Sequence, residues 1–104
     1  NSYTYNWHDF NDLICIILKT IIEQGKGIEV NTAGLKYGMP EPNPCLDIVK
    51  MYHDLGGEII TVGSDAHEVK FFAYRFDVVA DMLKNAGFNY YTIFNERKPE
   101  FIRL

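Results

Sequence analysis

Short β-branched segments alternate with longer amphipathic segments along this chain, and this order constrains the fold more than any other feature. The longer segments repeat their apolar residues every three or four positions, which is the period of an α-helix. These predicted helices cover residues 9–24, 44–55 and 71–86. The short segments predict strands at residues 27–31, 58–62 and 89–94. The chain is therefore predicted to be an α/β protein in which three parallel strands alternate with helices, joined by right-handed crossovers.

The ends of these segments carry ordinary start and stop residues. Asn43 can cap the second helix, and Pro44 suits the first position of a helix. Glycines at 25, 56 and 87 follow the three helices and are typical of helix ends. Residues 95–104 are predicted to be a polar tail.

A parallel sheet would collect its functional groups at one end. The loops that leave the carboxyl ends of parallel strands meet on one face, where sites are usually built. Here those exits are residues 31–36, 63–67 and 95–98, and each carries polar or charged groups. The loops at the opposite end are short and rich in glycine. His53 falls near that opposite end, and we expect it to be an exposed surface group.

Three parallel strands leave both edges of a sheet open, which is a poor arrangement for an independent domain. A chain of 104 residues also buries only about 60–65% of its unfolded surface, so its stability margin is thin. We therefore interpret residues 1–104 as a single incomplete domain that is part of a larger sheet.

Composition excludes several classes of function. The net charge of −4 provides no basic surface for nucleic acid, so we expect no nucleic-acid partner. The apolar runs are far too short to span a membrane, and no signal peptide is visible. Cys15 and Cys45 lack metal-binding spacing and are expected to be reduced thiols. A soluble protein of the cytoplasm is the expectation.

The end of the second predicted strand carries the clearest candidate site. In Gly63-Ser64-Asp65-Ala66-His67, a carboxylate and an imidazole stand two residues apart, so in extended backbone they point the same way. Both groups are ligands for divalent metals. Alternatively, Asp65 caps a turn and His67 is a solvated loop residue, because Gly-Ser-Asp turns are common.

Other polar residues near the strand exits have two interpretations each. Glu29 and Asn31 end the first strand, where Glu29 is either a metal ligand or supporting group, or the partner of a lysine. Lys36 can reach a phosphate as a point charge, or it is an ordinary loop lysine. Arg97 and Lys98 can attract an anion, or they belong to a polar tail.

Two stretches of this sequence resemble the C-terminal part of the histidinol-phosphatases of the PHP (polymerase and histidinol phosphatase) superfamily. They are residues 27–35, Gly-Ile-Glu-Val-Asn-Thr-Ala-Gly-Leu, and residues 56–67, which end in Gly-Ser-Asp-Ala-His. The end of the chain, from Gly87 through Arg97-Lys98-Pro99, is also similar. Gly-Ser-Asp-Ala-His is common to many PHP proteins, whereas the other stretches indicate the histidinol-phosphatase branch.

The resemblance implies the C-terminal portion of a distorted (β/α)7 barrel with two or three metal ions, such as zinc, manganese or iron. It implies hydrolysis of L-histidinol phosphate to histidinol and phosphate in histidine biosynthesis. Asp65 and His67 match the last pair of metal ligands of the family, and Lys36 and Arg97 are the candidate substrate-binding residues. No catalytic residue is assigned.

The chain departs from the family because it has only three histidines and no His-x-His motif. Two ligands cannot hold a catalytic metal cluster. We therefore expect this chain to be inactive alone and to need further ligands from an N-terminal part of the same domain. Two alternatives remain: a non-catalytic module that forms homo-oligomers through open sheet edges, and a fragment of another PHP phosphoesterase or nuclease.

Overall fold

A computed structural model of the protein describes residues 7–31, 42, 44–63 and 69–104. The described residues form α1 (Trp7–Glu23), β1 (Ile28–Asn31), α2 (Leu46–Asp54), β2 (Ile60–Gly63), α3 (Val69–Ala86), β3 (Tyr90–Asn95) and β4 (Lys98–Arg103). The α/β class and all three predicted helices are confirmed. Three of the predicted site residues, Lys36, Asp65 and His67, lie outside the described residues.

The start of α2 differs from the sequence prediction. Cys45 is the N-cap, in extended backbone, and its carbonyl accepts hydrogen bonds from the amides of Ile48 and Val49, each at 3.1 Å. The side chain of Cys45 makes no capping hydrogen bond. The predicted start at Pro44 is wrong, because the backbone becomes helical only after Cys45.

The strands β1 and β2 pair in parallel, as predicted. Ile28 lies opposite Ile60 and Asn31 lies opposite Gly63. Since side chains alternate along a strand, the pair has one apolar face and one polar face. Val30 and Ile60, on the apolar face, are fully buried against the helices, and Ile28 and Val62 pack around them.

The end of the chain is an antiparallel hairpin, so the predicted polar tail is wrong. Strand β3 pairs with β4 from Tyr90 opposite Arg103 to Asn95 opposite Lys98. Glu96 and Arg97 connect the strands with φ of 51° and 68°, the pattern of a type I′ turn. Such turns favour asparagine and glycine, so the pair Glu-Arg gave no turn signal in the sequence.

A sheet of three parallel strands is not confirmed, and neither is the barrel. In the described part of the chain, β3 has its ladder of backbone hydrogen bonds with β4, and β1 has its ladder with β2. The hairpin is attached to the parallel pair through a side chain: the Ile60 amide donates to the buried hydroxyl of Thr92 at 3.2 Å. On its other face, the ring of Tyr91 packs edge-on against Phe76 of α3 at 5.1 Å.

The helices surround an apolar core, and α1 also carries exposed apolar residues. Leu18 of α1, Val49 of α2 and Leu83 of α3 lie in the core. On another side of α1, Leu13, Ile16 and Ile17 are between 49% and 61% exposed. We call these three residues the outer face of α1. A search of the described helices for a membrane-spanning segment found none.

Candidate functional site

The polar face of the parallel pair is the candidate site, and it consists of Glu29 and Asn31 of β1 with Thr61 and Gly63 of β2. Glu29 lies opposite Thr61, and Asn31 lies opposite Gly63. Their apolar neighbours in sequence point into the core, so these four residues occupy the other side of the pair. A carboxylate, an amide and a hydroxyl are oxygen donors of the kind that bind hard cations.

Gly63 leaves space for the carboxylate of Glu29. A β-carbon at position 63 would collide with the side chain of Glu29, whose Oε1 is the atom closest to that position. The carboxylate therefore reaches diagonally from β1 to the end of β2. Residues 64–67 follow directly, so Glu29 places a negative charge beside the start of the segment that contains Asp65 and His67.

The hydroxyl of Thr61 adds a contact between strands β1 and β2 near the carboxylate of Glu29. Its Oγ1 donates to the Ile28 carbonyl at 3.5 Å, which is a long hydrogen bond between the two strands. Among the described residues, no lysine or arginine lies within ion-pair distance of Glu29. The alternative in which Glu29 pairs with a lysine therefore finds no support in the described part of the chain.

A complete metal site is not formed by the described residues. No group of three or more His, Cys, Asp or Glu side chains that could hold an ion occurs among them. Glu29 offers one carboxylate at the end of β2, which fits a supporting role and does not by itself fit a metal ion. The predicted ligands Asp65 and His67 and the predicted phosphate-binding Lys36 remain predictions.

Arg97 lies on the exposed turn of the hairpin, in left-handed backbone. Within the described residues, no hydrogen bond or ion pair joins it to the polar face. The structure thus places this cation next to the end of β3, on a turn that projects into solvent. Its predicted role in substrate binding stays a prediction.

His53 differs from its prediction as a simple surface group. Its ring packs edge-on against Phe88 at 4.9 Å and is 39% exposed. Its Nδ1 lies 3.4 Å from the Oδ1 of Asp54. The contact with Phe88 arises between the end of α2 and the turn before β3, which are distant in sequence, so no local pattern reveals it.

Sequence analysis missed Thr61 and Thr92. The position of Thr61 on the polar face could have been predicted from the alternation of Ile60-Thr61-Val62-Gly63. In the parallel register, this stretch matches Ile28-Glu29-Val30-Asn31 residue for residue. Thr92 had no such signal. Its burial depends on the hairpin lying beside β2, which is a tertiary contact.

Comparison with known proteins supports the resemblance drawn from the residues. A protein of Thermotoga maritima named probable histidinol-phosphatase is 45% identical over 83 residues, 79% of this chain and 35% of that protein. A protein of Clostridium acetobutylicum with the same name is 31% identical over 81 residues, 78% of this chain and 31% of that protein. No family model matches the chain. The chain spans about a third of the length of these curated relatives.

Proposed function

We propose, from the similarity of this chain to the histidinol-phosphatases, that it forms the C-terminal part of a cytoplasmic phosphatase that hydrolyses L-histidinol phosphate to histidinol and phosphate. The observation that carries this proposal is the 45% identity over 83 residues to a probable histidinol-phosphatase. The polar face of β1 and β2 adds geometric support. It brings the carboxylate of Glu29 to Gly63, the first residue of the Gly-Ser-Asp-Ala-His segment.

In this proposal, Asp65 and His67 are metal ligands, and the metal is zinc, manganese or iron. When bound, such an ion activates a water molecule and offsets the charge of the phosphate. The carboxylate of Glu29 has a supporting role, since at the end of β2 it can accept a hydrogen bond from the adjoining loop or from the imidazole of His67. Gly63 is required because any larger residue would displace that carboxylate.

Lys36 and Arg97 are proposed to bind the phosphate of the substrate. Both side chains keep their positive charge at neutral pH, and arginine can hold a phosphate with two parallel hydrogen bonds. Arg97 projects from the turn after β3 and is exposed, so its side chain can move toward a substrate without loss of packing.

The chain is proposed to act together with an N-terminal part of the same domain, which supplies the remaining metal ligands. Two surfaces suit such an association. Among the described strands, β1 pairs with β2 alone, and the outer face of α1 exposes Leu13, Ile16 and Ile17. A helix that is apolar on two sides is normally buried on both.

The test is complementation with phosphate release from L-histidinol phosphate as the measurement. The chain is mixed with the part of the Thermotoga maritima relative that lies outside the match, in the presence of manganese, zinc or iron. We expect release from the mixture and none from either component alone. Release by this chain alone would show that it does not need a complementing segment.

Substitutions then test the residue roles. In the mixture, Asp65→Asn and His67→Asn should each lower phosphate release by about 100-fold or more, as loss of a metal ligand or its support does. Asp54→Asn is the matched control, because Asp54 is an exposed carboxylate at the end of α2. Equal activity of Asp65→Asn and Asp54→Asn would remove Asp65 from the site.

A non-catalytic, oligomerising module is the second candidate function, and the outer face of α1 favours it. Exposed apolar surface of this kind commonly marks an interface between proteins. Sedimentation and metal titration separate the two candidates. A dimer that takes up no metal favours the module, whereas restored activity on complementation favours the phosphatase. Hydrolysis of a phosphodiester in the same mixture would instead favour another PHP phosphoesterase or nuclease.

A further inference from the structure

A cavity of about 410 Å³ lies at the end of the molecule where β2 and β3 begin. Its lining includes the side chains of His53, Glu58, Phe88, Asn89, Tyr90 and Phe101. This volume falls within the range of small-molecule sites, about 300–1,000 Å³. None of the lining residues belongs to α1 or β1, so the surfaces proposed for association with a complementing segment lie on other elements.

The wall of the cavity is held in place by the core. Phe88 is 6% exposed and stacks with the buried ring of Tyr52 at 6.2 Å. The ring of His53 lies so close to Gly87 that a β-carbon there would collide with it. The hydroxyl of Tyr52 in turn donates to the Ile59 carbonyl at 2.7 Å. The cavity is thus formed before any ligand arrives.

The lining combines aromatic rings with a carboxylate. Tyr90 and Phe101 are 43% and 47% exposed, so their rings remain accessible. Glu58 contributes an exposed carboxylate. A positive charge is favoured both by carboxylates and by the faces of aromatic rings.

Arg103 places a cation against one ring of the lining, that of Tyr90. Its guanidinium carbon lies 5.9 Å from the centre of the Tyr90 ring. Arg103 is exposed.

We propose that this cavity binds a small organic cation that carries an aromatic ring, such as an arylalkylamine. The aromatic ring of the ligand packs against the exposed ring of Phe101, and the ammonium group pairs with the carboxylate of Glu58. This site is distinct from the polar face of β1 and β2, because Glu58 precedes β2 whereas Gly63 ends it. The proposal does not depend on the phosphatase function.

Titration of the full chain with benzylamine tests the proposal, followed by NMR of the backbone amides. We expect saturable shifts confined to residues 53, 57–58, 87–90 and 101, with affinity in the millimolar range. Benzyl alcohol, which has the same ring without the charge, should bind about threefold or more weakly. Absence of saturable shifts, or equal affinity for the two compounds, would overturn the proposal.

Variants separate the carboxylate and the ring from general charge effects. Glu58→Gln and Phe101→Leu should each weaken benzylamine binding by about two- to fivefold. Glu96→Gln is the control, since it makes the same chemical change on the turn at the far end of the hairpin. An equal effect of Glu58→Gln and Glu96→Gln would overturn the assignment. The assignment would also be overturned if benzylamine shifted the amides of residues 57–58 and 87–90 equally in the Glu58→Gln variant and in the unsubstituted chain.

Discussion

The two pairs of strands in this protein reach their register by different means. The parallel strands β1 and β2 are far apart in sequence, and residues at their centre are fully buried, as Val30 and Ile60 show. The hairpin of β3 and β4 closes through a two-residue turn, and Ile93 and Phe94 on β3 are 41% and 55% exposed. The register of the parallel pair depends on the core, whereas a turn sets that of the hairpin.

This difference also separates the places where function is expected. The parallel pair can place polar residues on one face because its other face is fixed by burial, and Glu29 lies there beside Gly63. The hairpin contributes Arg97 on an exposed turn and the aromatic rings of the cavity. Core packing thus positions the candidate site, and local backbone geometry positions the hairpin residues.

Ile60→Ala should give the largest effect and tests the dependence of β2 on the core. Ile60 is fully buried, so its truncation should lower the free energy of unfolding by about 2–5 kcal/mol. Urea unfolding followed by circular dichroism measures it. Ile93→Ala on the hairpin is the control and should cost less than about 1 kcal/mol, because that side chain is partly exposed. If Ile60→Ala and Ile93→Ala lowered the free energy of unfolding equally, the parallel pair would not depend on the core more than the hairpin does.

Thr92→Val tests the link between the two pairs of strands. The substitution keeps the shape of the side chain but removes the acceptor for the Ile60 amide, which is buried. We expect a loss of about 1–3 kcal/mol in the free energy of unfolding. Thr92→Ser retains the hydroxyl and should lose less. If valine is tolerated as well as serine, the hydrogen bond does not hold the hairpin to β2.

Tyr52→Phe removes the hydrogen bond that fixes the chain just before β2. The lost bond from the Tyr52 hydroxyl to the Ile59 carbonyl should cost about 0.5–1.5 kcal/mol near neutral pH. Urea unfolding of the variant and the unsubstituted chain measures this difference.

The cost of Tyr52→Phe should also depend on pH. Burial raises the pKa of the Tyr52 hydroxyl above its usual 10.0, and Glu58 adds to the rise while the hydrogen bond to Ile59 opposes it. The folded chain therefore keeps this proton at a pH where the unfolded chain loses it. The contribution is complete below about pH 10 and declines as the pH rises through the folded pKa. The difference in free energy of unfolding between the Tyr52→Phe variant and the unsubstituted chain should therefore become smaller in that pH range. A difference that stays constant with pH would contradict the burial of this hydroxyl.

The double substitution Glu96→Asn with Arg97→Gly should give the smallest effect, and it tests the turn. Both positions have positive φ, which asparagine and glycine adopt more readily. We expect a gain of about 0.5–1 kcal/mol in the free energy of unfolding. Glu96→Gln leaves the backbone preference almost unchanged and should have no effect. A loss of stability on Asn-Gly substitution would show that the turn is not the determinant of this hairpin.

Much of the secondary structure could be predicted because it follows local periodicity. The spacing of Leu13, Ile14, Ile17 and Ile21 in α1 and the alternation of Ile28-Glu29-Val30-Asn31 are properties of the sequence itself, although Leu13 and Ile17 lie on the exposed outer face of α1. The same alternation indicated that Glu29 and Asn31 share a face. The hairpin has no signal in the sequence, because Glu96 and Arg97 are not the residues that usually form such a turn, and residues 95–104 are predicted to be a polar tail.

The sequence by itself determined the helices, the strands β1 and β2 and the resemblance to histidinol-phosphatases, since each follows from short stretches of the chain. Only the tertiary structure decided that the carboxylate of Glu29 lies beside Gly63, that Thr92 bonds to Ile60, and that His53 and Phe88 border a cavity. These contacts join residues up to 35 positions apart. Their geometry is fixed by how the helices and strands pack on one core, which no short stretch of sequence encodes.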